Sequence, residues 1–158
     1  MTPKHILVPL DVDPMADRAL ADRLVDEACT LAKLAGAQVT LLHVSMPIVS
    51  PMASPADLIS EAYRAMLDVA EARNAASGRV LNELAARAAA KGVVARPLIN
   101  ARNGSVPEII VEVAKEEGAD LIMMTTHARR GLKRMLLGSV AERTAHLSAV
   151  PILLLPPG

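Results

Sequence analysis

His5-Ile-Leu-Val-Pro-Leu10 is a short apolar run closed by Asp11, and its reading decides the fold. A strand exposed on one face would alternate apolar and polar residues; this run does not, so it predicts a strand buried on both faces, as in a parallel sheet covered by helices. Outward from it, Asp13-Pro14 is expected to open a helix, Asp as N-cap and Pro in the first turn, with Leu20, Leu24, Ala28 and Leu31 at helical spacing and Gly36 as the stop. Val39 to Val44 predicts a second strand. The stretch PIVSPMASP after it is too rich in proline for regular structure, and residues 46–56 are expected to form a mobile flap that orders over a ligand.

Ser54-Pro-Ala-Asp57 resembles a capping box, and the Ala-rich segment to Lys91 predicts a helix, interrupted near Asn74 to Gly78 and ended by Gly92. Val93 to Ile99 predicts a third strand. Ser105-Val-Pro-Glu108 caps a helix to about Glu117, Ala119 to Met124 predicts a fourth strand, Ser139-Val-Ala-Glu142 caps a last helix, and Pro151 to Leu155 predicts the fifth strand before Pro156-Pro157. The alternation implies an α/β chain, residues 1–158 forming one domain: a doubly wound, Rossmann-like, five-stranded parallel sheet. Ligands of such sheets bind beyond the carboxyl ends of the strands, where the winding reverses. That rule puts Asp11, the residues after Val44 and the loop after Met124 on one rim.

The composition excludes several classes. With 158 residues and 52% apolar content the chain can fill one core, and its 17 basic and 17 acidic residues cancel, so no global field recruits nucleic acid or an anionic membrane. Tyr63 is the sole aromatic residue, which leaves no stacking platform for single strands. The single cysteine, Cys29, can form neither an internal disulfide nor a zinc site; it reads as a buried helix residue in a reducing cytoplasm. The N-terminus carries no secretory signal pattern, so a cytoplasmic location is expected. Residues 34–56 lack charge, but Pro47, Pro51 and Pro55 exclude a membrane span.

The chemistry concentrates in residues 125–139. From His127 to Arg134 the chain places Arg129, Arg130, Lys133 and Arg134 with no acid, and Gly138-Ser139 then starts a helix whose unpaired amides and positive dipole end favour an anion. Singly, these are an ordinary N-cap, an ordinary turn glycine and a solvated cationic face. Together, after a parallel strand, they point to a phosphate site. His5, His43 and His146 show no metal-ligand spacing and read as scattered histidines. No nucleophile and base stand in a recognisable pattern.

These residues resemble the universal stress protein family, and the resemblance spans essentially the whole chain. Pro9-Leu10-Asp11 is similar to the family's first strand end and Leu42-His43-Val44 to its second. Residues 117–124 look like its fourth strand, Leu136-Leu-Gly138-Ser139-Val140-Ala-Glu142-Arg143 like its signature helix start, and Pro151 to Leu155 like its closing strand. The resemblance implies a fold similar to the adenine nucleotide alpha hydrolases, a homodimer paired through Ile152 to Leu155, and ATP, with or without Mg2+, as ligand. By the same resemblance, Asp11 lies against the adenosine and the Val44 backbone against the adenine edge. Pro9, Thr125, Thr126, His127, Ala128, Arg129, Gly131, Gly138, Ser139 and Val140 complete the implied site.

The nucleotide-binding branch carries Gly, two residues, Gly, nine residues, then Gly with Ser or Thr. Counted back from Gly138, Thr125 and Ala128 stand where its first two glycines belong. Three functions stay open: a nucleotide-binding regulatory module of the stress response, with ATP binding retained but weakened by Ala128; a dimeric interaction protein without nucleotide; and a slow ATPase.

Overall fold

A computed structural model describes residues 2–45, 54–58, 60–126 and 138–156. Its elements run β1 (His5–Pro9), α1 (Arg18–Ala35), β2 (Gln38–Val44), α2 (Pro55–Leu58), α3 (Glu61–Ala90), β3 (Ala95–Asn100), α4 (Val106–Glu116), β4 (Leu121–Thr125), α5 (Ser139–Leu147) and β5 (Ile152–Leu155). The strands form one five-stranded sheet in the order β3-β2-β1-β4-β5. Every neighbouring pair is parallel. Winding from β1 to β3 goes one way and from β4 to β5 the other, so the switch point lies between β1 and β4.

The two apolar faces of β1 explain the core. Ile6 and Val8 pack with Val39 and Leu41 under α1 and α3, against Leu24, Ala28, Leu81 and Leu84. Leu7 points the other way, with Leu42 and Ile122, under Ile109, Ile110 and Val113 of α4 and Ala141 of α5. Ile6, Leu7 and Val8 are fully buried, so truncating Ile6 or Leu7 to alanine leaves a cavity costing about 2–5 kcal/mol.

At the amino end of the sheet, the Asp120 carboxylate accepts the backbone N–H groups of Lys4 and His5. Burial pushes this carboxyl up, yet the two amides outweigh it and hold it below the usual carboxylate range. His5 donates from Nδ1 to the Glu117 carbonyl at 3.0 Å, while its Nε2 meets the Thr40 hydroxyl at 2.8 Å. Its role is therefore structural. Cys29 is buried on α1, and burial raises its thiol pKa.

Three expectations are corrected. The α1 N-cap is Asp17, whose side chain accepts from Ala19 and Leu20, whereas Asp13 closes a preceding turn by accepting from Met15. Pro14 suits that turn as well as a first helical turn, and the packing of Ala21, Leu24 and Ala28 selects the later start. Helix α3 runs unbroken through Asn74 to Gly78, and the break lies at Ser60, whose side chain accepts from the Tyr63 amide. Ile99 of β3 packs beside Gly78, where an added Cβ would meet Ile99 Cδ1 at 3.4 Å, an ordinary contact. Finally, Ser139 is the first helical residue of α5, and Gly138 is its N-cap.

Smaller shifts move the third and fourth strands to Ala95–Asn100 and Leu121–Thr125. Val93 and Ala119 instead donate to the ends of α3 and α4, at Ala88 and Ala114. Among the described residues no helix is long and apolar enough to cross a membrane.

Candidate functional site

Because all strands are parallel, the carboxyl ends of β1, β2 and β4 share one rim beside the switch point. Pro9 ends β1, half-buried, and the exposed Asp11 follows two residues on. Asp11 is held in a local turn, its Oδ1 accepting from the Asp13 amide at 3.2 Å, and Asp13 in turn faces Arg73 of α3 at 3.6 Å. Asp11, Asp13, Arg18 and Val80 wall a shallow recess on this side.

Val44 ends β2 with its side chain half-buried. Ser45 donates its amide to the Asn100 carbonyl at 2.9 Å, which fixes the β2–β3 edge of the rim. Its hydroxyl is buried without a hydrogen-bond partner among the described residues. A buried hydroxyl in that state costs about 1–3 kcal/mol, and a polar ligand group would relieve it. His43, buried, donates from Nδ1 to the Leu10 carbonyl at 3.1 Å.

On the other side of β1, Thr125 ends β4 and Thr126 follows, buried. The Thr126 amide and hydroxyl both reach the Leu155 carbonyl, at 2.9 and 3.4 Å, so this side chain ties β4 to β5. Gly138 enters α5 with φ −60° and ψ 150°, an extended conformation open to any residue. Backbone strain therefore does not require glycine at this position. Among the described residues no side chain caps α5, and the first amides of the helix, from exposed Ser139 and half-buried Val140, lack intrahelical acceptors.

The parallel sheet sets Pro9, Asp11, Val44, Thr125 and Thr126 at the carboxyl ends of their strands, with Gly138, Ser139 and Val140 at the start of the helix that follows β4. His127, Ala128, Arg129 and Gly131, with Arg130, Lys133 and Arg134, lie outside the described residues, as do residues 46–53 of the expected 46–56 flap, whose end is not irregular as expected but begins α2 at Pro55. Among the described residues no group of three His, Cys, Asp or Glu side chains could hold a metal ion. Sequence reasoning missed Ser45 and His43. His43 stands one residue before Val44, and that adjacency was the available hint.

Comparison with known proteins agrees with this architecture. The model of the universal stress protein family matches residues 2–156. Universal stress protein YxiE of Bacillus subtilis is 30% identical over 149 residues, covering 94% of this chain and 96% of that protein. A crystal structure of a universal stress protein family member from Burkholderia pseudomallei superposes with a TM-score of 0.65 at 30% identity, covering 98% of this chain and 96% of that one. The universal stress protein from Archaeoglobus fulgidus, solved in complex with dAMP, gives a TM-score of 0.65 at 20% identity and covers 98% of each chain. This chain belongs to the universal stress protein family.

Proposed function

We propose that the chain is an adenine-nucleotide-binding regulatory module of the stress response, with ATP as its ligand. Adenosine would lie between Asp11 and the Val44 backbone, and the phosphates at Gly138, Ser139, Val140 and the 125–131 loop. The observation that carries this reading is the convergence at one rim of a carboxylate, an open strand end and an uncapped helix start. Helix-start amides attract phosphate through their unpaired N–H groups and the helix dipole. The complex of the Archaeoglobus protein with dAMP supports the class of ligand. Any Mg2+ would arrive bound to the phosphates, since the described residues offer no ready ligand set.

We further propose a cytoplasmic homodimer paired through β5. That strand lies at an edge of the sheet, with no strand beyond it among the described residues and Leu153 43% exposed. One observation favours a second reading, a dimer that binds no nucleotide: Thr125 and Ala128 replace two glycines of the nucleotide-binding branch. The deciding experiment is extraction of the purified protein followed by nucleotide chromatography, with calorimetric titration of the stripped protein by ATP. Neither carried nucleotide nor heat from ATP would leave the nucleotide-free dimer as the function.

A further inference from the structure

We propose that His43 is a positioning residue that stops the β1–β2 ladder one rung early and so keeps the Val44 peptide open to the ligand. The ligand half of this inference rests on the nucleotide reading above. The strands pair in register from His5 with Gln38 to Pro9 with Leu42. In a parallel ladder, successive residues address opposite neighbours. Along β2, Val39 and Ser45 donate to β3, at Val94 and Asn100, whereas Gln38 donates to β1, at Lys4. Val44, of even number, therefore directs its N–H and C=O towards β1.

The last rung on that side is Leu10 N–H to Leu42 C=O, at 2.7 Å. The next acceptor in line for Val44 N–H would be the Leu10 carbonyl. That carbonyl takes the Nδ1–H of His43 at 3.1 Å instead, and among the described residues no backbone bond joins it to Val44. A carbonyl can only accept, so Nδ1 must carry the proton. The ring is only 7% exposed, which confines it to this geometry. The imidazole thus satisfies Leu10, lets β1 leave the sheet towards exposed Asp11, and leaves the N–H and C=O of one residue, Val44, side by side at the rim without a backbone partner among the described residues. Adenine presents the complementary acceptor and donor on both its Watson–Crick edge (N1, N6–H) and its Hoogsteen edge (N7, N6–H), whereas guanine's Hoogsteen edge offers two acceptors, N7 and O6, and leaves it the Watson–Crick edge alone.

Two variants test this, read by amide hydrogen exchange of the nucleotide-free protein and by calorimetry with ATP and GTP. In wild type the Val44 amide should exchange on the order of a hundredfold faster than that of Leu42. His43→Leu frees the Leu10 carbonyl for Val44, so Val44 protection should rise and ATP should weaken about tenfold, narrowing the preference over GTP. His43→Asn, whose carboxamide can reach the same carbonyl, should restore both. Equal protection of Val44 and Leu42 in wild type overturns the positioning role, and that measurement does not depend on His43→Leu folding. An unchanged ATP affinity in folded His43→Leu overturns it too. Wild type that binds no nucleotide overturns the functional reading and the ligand half with it, while the exchange data judge the ladder separately.

Discussion

The Asp26 carboxylate accepts two N–H bonds from the Arg87 guanidinium, each 2.7 Å, joining α1 to α3 above the core. Lys91 adds a third contact at 3.1 Å. The Arg87 hydrogen bonds hold the carboxyl down at about 2 against an ordinary 3.8, burial opposing and Lys91 assisting. Because the folded pKa is depressed, the stabilisation is fully present above the ordinary value and is lost as pH falls through the folded one. Both side chains are partly exposed, at 32% and 43%, so screening reduces the gain. Asp26→Asn should cost about 1 kcal/mol at neutral pH and close to nothing at pH 2. Urea unfolding at both values checks it: a difference that persists in acid would mean the pair does not act through charge.

Gly78 sits inside α3 without a positive φ. Its missing side chain leaves room for the Ile99 Cδ1 methyl, 3.4 Å from where a Cβ would stand, which is an ordinary contact with the far end of a flexible side chain. Gly78→Ala should therefore gain about 0.5–1 kcal/mol from helix propensity, and Gly78→Leu should lose more than that by displacing β3. Thermal melts of the two variants decide the matter, and a destabilised alanine variant would show that Ile99 cannot yield.

These two cases mark how far the sequence could be read. The strands were legible because short runs such as Ile6, Leu7 and Val8 are apolar on both faces and alternate with helical segments, as in a parallel sheet covered by helices. The rim positions of Asp11, the residues after Val44 and the loop after Met124 followed from topology alone. Helix boundaries were not legible where two good caps compete: Asp13 and Asp17 are equally suited locally, and packing of Ala21 and Leu24 decides between them. Gly78 looked like a breaker because its partner, Ile99, lies in another element. His43 looked unremarkable for a similar reason, since its acceptor lies 33 residues away and becomes visible only once the strand register is set.

Dimerisation through β5 has a sharper probe than the strand sequence suggests. Ile152 and Leu154 pack into the core under α4 and α5, so a charge at Leu154 would damage the fold as well as the edge. Leu153, 43% exposed, is the residue a second copy would cover. Leu153→Lys should give monomer in light scattering with little change in secondary structure, because a charged edge strand resists pairing. Wild type that is already monomeric at micromolar concentration rules the interface out.

ATP binding should respond in opposite directions to changes at Ala128 and Gly138. At Gly138 the backbone is extended, so Gly138→Val is compatible with the N-cap conformation, and any loss it causes comes from volume placed where the phosphates approach the first amides of α5. Binding should then be abolished while the melting temperature stays close to wild type. Ala128 lies outside the described residues and is argued from sequence: it replaces a glycine of the nucleotide-binding branch. If that position requires a positive φ, alanine costs on the order of 1–2 kcal/mol, and Ala128→Gly should tighten ATP by up to about tenfold. On the proposed reading the cations and helix-start amides would provide most of the attraction in either protein, so the change expected is one of degree. Titration calorimetry on wild type and both variants separates the possibilities. Heat from Ala128→Gly alone would locate the defect in the loop, whereas silence from wild type and Ala128→Gly alike would mean that the helix start holds no nucleotide in this chain.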